Sequence, residues 1–452
     1  MESYLTPIDD ALNRIFSNKE AFNQFKLTID IYYDSLMKEV FNPILVSNVN
    51  IVRDYIENAT DEFTITVSMG MGDLGKIIQP NRKNLKIGLK YTMLTDNPSN
   101  QNPPTPEYIV YKAFLLGEYA SVTVAQGAEA NSKEALNMQG MLDVSFQLVS
   151  QDFERIKVIQ RGCHARNENP NNITSVYIQK AIDSLANQPD NILKRSYIVP
   201  FNNQDRYENI TVKLSTYLTD LPHTLQEKPG CYNADIGSYI QDDCWYVYPL
   251  YDTSRFNKEA RTCTIYVLPK KKYPSFERTW LIDGSSISIA ISGDTKFKDD
   301  GGANYANFGN GARYAKAEAF LDAGKSSGNK FTFSRNETCN EFVSGTAIDA
   351  INNAPWGENL LTGNLFKEKS RLARRNGGFT SLTWKNSLPE IITPGMPCRI
   401  VYYEEDQLKN IYGVILGASS HYVKPGGISS STFVSLTSLI VFTNGQVTSI
   451  DG

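Results

Sequence analysis

Apolar residues in this chain recur at every second position, in one short segment after another, with few stretches between them long enough for a crossover helix. In FKLTIDIYY (25 to 33), Phe25, Leu27, Ile29 and Ile31 alternate with Lys26, Thr28 and Asp30, the period of a strand with one buried and one wet face. The pattern returns in EFTITVSM (62 to 69), NLKIGLKYTML (84 to 94), YIVYKAFLLG (108 to 117), YASVTVAQ (119 to 126) and MLDVSFQLVS (141 to 150). Strands this close in sequence pair antiparallel, which predicts a barrel or sandwich over 61 to 160.

Helical signals are few. Thr6 as cap, Pro7 behind it and the stripe Ile8, Leu12, Ile15 and Phe16 predict a short docked helix at the start of the chain. The turn-rich RNENPNN (166 to 172) leads into TSVYIQKAIDSLANQ (174 to 188), where Thr174 caps and Val176, Ile178, Ala181, Ile182 and Leu185 share one face. Strand patterns then resume in NITVKLSTYL (209 to 218), CWYVYPLY (244 to 251), ARTCTIYVLP (260 to 269) and SSISIAIS (285 to 292). CRIVYYEE (398 to 405), IYGVILGASSHYV (411 to 423) and STFVSLTSLIVFTNG (431 to 445) close the chain as a meander. The division expected is 1–60 as a helix and strand segment, 61–160 as barrel one, 161–235 as a helical connector, 236–345 as barrel two and 346–452 as a C-terminal β-rich region.

Chemistry-bearing motifs fail on inspection. GMGDLG places Gly70, Gly72 and Gly75 in a dinucleotide-type spacing after a strand, but Pro80 and the strand pattern that follows predict no helix to hold a pyrophosphate. GKSS (324 to 327) lacks the first glycine of a phosphate loop, and Asp294, Asp299, Asp300 and Gly301 lack the alternate spacing of a calcium loop. Cys163 and His164 are adjacent, so on a strand they face opposite ways. The 3 histidines and 6 cysteines form no metal-ligand spacing. A pair among the 49 acids meeting in space stays open. No catalytic, cofactor-binding or metal residue is assigned, and no cofactor is expected.

Charge narrows the partners. With 45 Lys+Arg against 49 Asp+Glu the chain carries −4, so it offers no global basic field for gripping nucleic acid. KKK (270 to 272) and RLARR (371 to 375) read as solvated faces or contacts to an acidic surface. The first residues lack the basic and apolar regions of a signal peptide, which points to cytoplasmic synthesis. FVSLTSLIVF (433 to 442) is half the length of a membrane span and reads as a buried strand. The sequons at Asn58, Asn172, Asn209 and Asn336 are then ordinary surface asparagines.

The middle of the chain, PGCYNADIGSYIQDDCWYVYPLYDTSRF (229 to 256) and TCTIYVLPKKKYPSFERTWLIDGSSISIAISGDTK (262 to 296), resembles the central hub protein of contractile phage tail baseplates. TITVSMGMGDLGKIIQPNRKNLKIGL (64 to 89) and PGMPCRIVYYEEDQLKNIYGVILG (394 to 417) are similar to hub segments as well. The resemblance implies a mainly β, multi-domain chain with two tube-type antiparallel β-barrels, and a non-enzymatic homotrimer. Its implied partners are a spike protein, which in this family often carries a cell-wall hydrolase, a tail-tube initiator or tube ring, and baseplate wedge proteins. The resemblance further implies that DNA passes without being specifically bound and that the location is the virion tail baseplate. Another virion part such as a tube initiator or adaptor, or a glycan- or receptor-binding module, shares the same composition.

Overall fold

The computed structural model describes residues 15, 24–34, 36–94, 107–121, 140–188, 190–268, 279–292, 295–298, 365–404, 407–424 and 432–449. Among them the chain is mainly β with minor α, dominated by one large multi-stranded sheet. Its strands are β1 (Gln24–Tyr32), β2 (Val40–Phe41), β3 (Leu45–Asp54), β4 (Glu62–Gly70), β5 (Lys86–Leu94), β6 (Glu107–Ser121), β7 (Met141–Ser150), β13 (Thr262–Leu268), β14 (Trp280–Asp283), β15 (Ser286–Ser292), β16 (Thr295–Lys298), β17 (Gly378–Lys385), β18 (Pro397–Glu404), β19 (Gln407–Val423) and β20 (Thr432–Ser449). Between them lie β8 (Cys163–Glu168), β9 (Arg195–Ile198), β10 (Tyr207–Val212), β11 (Ile236–Gln241) and β12 (Cys244–Pro249). The helices used below are α1 (Gln151–Ile156), α2 (Pro170–Leu185), α3 (Leu221–Glu227) and α4 (Leu365–Arg375).

The pairings close on themselves. Following hydrogen-bonded neighbours gives β3, β4, β7, β6, β5, β1, β20 and β19, which returns to β3. The seam between β1 and β20 is short, Phe25 against Phe433 and Lys26 against Thr432. Closure removes exposed strand edges and lets the inward residues of every strand share one core. Ile29, Ile31, Ile65, Val67, Ile87, Val144 and Phe146 belong to that core and are all buried.

A second circuit runs from β13 to β18, β19, β20, β17 and β16, and two residues separate β16 from β15, which pairs back onto β13. Within this mainly antiparallel arrangement β13 runs parallel to both neighbours, β15 and β18. Thr279 braces the return: its carbonyl accepts from Ala290 N at 2.8 Å, and its hydroxyl donates to Lys385 O at 2.8 Å. β19 and β20 serve both circuits. The C-terminal part of β19 pairs with β3 and its N-terminal part with β18, while β20 meets β1 near its start and β17 further on. Bulges between Ile411 and Gly413 and between Ile415 and Gly417 bend β19 where it passes between them.

The middle segment carries a three-stranded sheet, ordered β11, β12 and β9, and the β8–β10 pair. Ile240 N donates to Ala59 O at 2.8 Å, so the outer edge of β11 is joined to the β3–β4 connection. α2 begins at Pro170, with Asn169 as cap accepting from Asn172 N at 2.8 Å. Thr174, expected as the cap, lies inside the helix and donates to Pro170 O at 2.9 Å. Pro at the first helical position, where no N–H partner is needed, sets the cap five residues earlier.

Other expectations shift. The pattern predicts two strands, 108–117 and 119–126; as far as Ser121 they are one strand, β6, with a register shift between Leu115 and Tyr119 around Gly117, and 122–126 lie outside the described residues. Contrary to the expectation that no helix opens at GMGDLG, helical turns begin directly after Gly70, Met71–Asp73, Leu74–Ile78 and Gln79–Asn81, the middle one a wide π turn. Pro80 is accommodated because it follows that wide turn and sits near the end of the segment. β2, β3, β8, β9, β11, β14, β16, β17, α1, α3 and α4 have no counterpart in the sequence pattern. Of the N-terminal helix only Ile15 is among the described residues; it is helical and buried in one apolar cluster with Leu268, Ala290, Val401 and Leu408.

Candidate functional site

Arg53 ends the inward row Val49, Ile51 and Arg53 of β3 and is 4% exposed. Its Nε donates to Asp61 Oδ2 at 3.1 Å and its Nη1 to Pro389 O at 3.0 Å. Tyr239 on β11 donates to the other Asp61 oxygen at 2.9 Å. Tyr55 packs edge-on against Tyr239 at 4.8 Å and donates to Gln241 Oε1 at 3.1 Å, and Gln241 Nε2 donates to Ile392 O at 2.9 Å. Tyr422 donates to Glu390 Oε1 at 2.8 Å. One polar network therefore binds the end of the first circuit to the three-stranded sheet and to the segment leading into β18. Burial opposes the Arg53 charge, yet the neighbouring carboxylates, Asp61 foremost, hold its pKa well above the ordinary arginine value. Arg53, Asp61 and Glu390 of the network also line a small pocket of about 90 Å³, partly open to solvent, whose apolar wall is Phe25, Val49, Ile51, Phe63 and Leu89.

A second node joins the sheet to the second circuit. Arg255 ends the Asp252-capped turn Thr253–Arg255, pairs with Glu259 at 2.6 Å and donates to Gly395 O at 2.6 Å and Pro249 O at 3.3 Å. Gly395 has φ +65 and the Tyr248 ring lies where a Cβ would stand, so no other residue fits there. Where β17, β20 and β19 meet, Ser387 lies 2.8 Å from Ser435 and 2.6 Å from Thr437, and Ser420 lies 3.0 Å from Thr437, all hydroxyl to hydroxyl and buried. Both nodes are brackets: their charges face one another and backbone carbonyls, which fixes geometry.

The motifs singled out in the sequence stay apart. Gly72 and Gly75 face open space, while a Cβ on Gly70 would come within 2.9 Å of Asp73 Oδ2. Cys163 and His164 are neighbours on β8, and His164 Nδ1 lies 3.0 Å from Thr211 Oγ1. RLARR lies on α4, where Arg374 faces a groove with His223, Glu227 and Asp235. Lys270 to Lys272, Asp294, Asp299 to Gly301, Gly324 to Ser327, Asn336 and Cys339 lie outside the described residues. Among the described residues, five thiols are free and no three His, Cys, Asp or Glu side chains group as a metal site. No helix is long and apolar enough to cross a membrane among these residues. The sequence reading missed Arg53, Asp61 and Arg255; the one signal available was an arginine closing the inward row of β3.

No protein-family model matches the chain, and no curated protein matches it in sequence. Among solved structures it is similar to a tail protein from Neisseria meningitidis, at 10% identity and TM-score 0.40, covering 93% of this chain and 97% of that one. It is also similar to a 43 kDa tail protein of a prophage from Shewanella oneidensis, at 8% identity and TM-score 0.39, covering 92% and 98%. A third is a component of the Escherichia coli type VI secretion system, itself described as similar to bacteriophage T4 tail proteins, at 8% identity and TM-score 0.36, covering 88% and 73%.

Proposed function

We propose that this chain is a structural hub of a contractile-tail baseplate, a homotrimer that joins the tail tube to a central spike and leaves a passage for DNA. The observation that carries the reading is that one chain forms two strand circuits sharing a single long hairpin, β19 and β20. Taken as two tube-type barrels, they let three copies present six barrels, which reconciles a threefold spike with a sixfold tube. The hub-like sequence segments support it: 262 to 296 supplies β13 to β15 and the start of β16, and 394 to 417 supplies β18 and most of β19. The net charge of −4 is compatible with this, since a chain without a global basic field does not retain passing phosphates.

In this reading the trimer contacts are permanent, the spike and the tube initiator dock on the closed ring, and the chain performs no chemistry of its own. Native mass spectrometry, alone and with the cognate spike, tests it. The expected result is a trimer in at least one condition; a monomer in both overturns the reading.

A further inference from the structure

The three-stranded sheet has two outer edges with different fates. That of β11 is joined to residues 59 and 60. β9 lies at the other edge, paired in parallel with β12 alone. Arg195 N and Val199 N donate toward β12, to Asp243 O at 3.1 Å and Val247 O at 2.9 Å. Alternation along a strand then turns the N–H and C=O groups of Ser196 and Ile198 away from β12, toward the open side. No backbone partner for them occurs among the described residues.

Over the face of β9 and β12 next to this edge lies a cleft of about 360 Å³, open to solvent and closed on its other side by residues 259 to 261 and 393 to 397. Tyr197, 46% exposed, and Tyr246 line it with ring centres 6.1 Å apart. Lys194 and Arg261 are exposed, and the Arg195 side chain is 67% exposed. The charges here are Lys194, Arg195, Arg255 and Arg261 against Asp243 and Glu259, and both carboxylates already hold an arginine, Arg195 and Arg255. In a chain of net charge −4 this edge is locally positive.

We propose that β9 is a docking edge for an extended acidic segment of a partner protein, added as a further strand with one of its side chains laid against Tyr197. The backbone groups of Ser196 and Ile198 supply the main-chain hydrogen bonds, and Lys194, Arg195 and Arg261 select acidic side chains. A second copy of this chain is disfavoured, because two such edges would bring Lys194 and Arg195 against their own kind. The inference does not depend on the hub reading.

The test is titration of the intact chain with a capped six-residue peptide alternating Glu and Val, and with its Lys/Val counterpart, followed by fluorescence anisotropy at low and high salt. The expected result is saturable binding of the acidic peptide, at least about tenfold weaker for the lysine peptide and weaker again in salt. Ser196→Pro removes one outward N–H, leaves the β12 ladder intact, and is expected to weaken binding about tenfold or more with unchanged circular dichroism. If that variant does not fold, Arg261→Glu decides, with an expected loss of the same order. No saturation by about 2 mM, equal binding of both peptides, or wild-type binding by the deciding variant each overturns the proposal. So does a concentration-dependent dimer that Ser196→Pro abolishes, which would make the occupant a second copy.

Discussion

Arg53 is a charge that only its partners make tolerable. At 4% exposure it has Asp61 and Pro389 O as its hydrogen-bond acceptors, so Arg53→Ala strands a carboxylate and a carbonyl at the junction. The expected loss is about 3–5 kcal/mol in urea unfolding. Arg53→Met combined with Asp61→Leu removes both charges and is expected to lose less than Arg53→Ala alone; an equal or larger loss in the double variant would contradict the bracket. Asp34 works at the surface. It accepts from Lys38 N at 2.8 Å, Glu39 N at 3.0 Å and Leu36 N at 3.2 Å, and these bonds, that from Glu39 foremost, hold its carboxyl below the ordinary 3.8. A depressed carboxyl lends order that is present above the unfolded value and lost as pH falls through the folded one. The amides of 36 to 39 are expected to lose protection below about pH 4 in hydrogen exchange, and Asp34→Ala is expected to lose it at neutral pH.

At the scale of the element, β19 decides how the two circuits meet. Its glycines sit at the bulges: a Cβ at Gly413 would come 2.6 Å from Phe442 O, whereas at Gly417 the nearest atom is Arg53 O at 3.1 Å. Gly413→Ala is therefore expected to lower stability by roughly 1–3 kcal/mol, and Gly417→Ala by less, both read from urea midpoints. These bulges also show what the sequence made legible. β1 and β4 lie where alternation predicts them because each is regular along its length. β3 was hidden because its register shifts between Val46 and Asn48, which breaks the period at its start. The turns after Gly70 were hidden because Pro80 reads as a breaker unless a π turn precedes it. Arg53, Asp61 and Tyr239 are separated by 8 and 178 positions, so no spacing rule brings them together; only strand closure does.

For the whole molecule the shared hairpin has a thermodynamic consequence. The first circuit is completed by β19 and β20, which follow its own strands by more than 200 residues in sequence, and the second is completed by the same two strands. Neither circuit closes without them, and Arg53 and Arg255 bracket each circuit to the sheet between. Two units that share strands and polar brackets gain little from melting separately, because opening one exposes edges and buried charges of the other. Calorimetry is therefore expected to show one transition for both circuits, with van't Hoff and calorimetric enthalpies in agreement. A chain ending at residue 404 lacks both shared strands and is expected to show no cooperative transition at all. Two resolved transitions in the full chain, one of them surviving in the shortened chain, would mean that a circuit closes without the hairpin and that the two are independent domains.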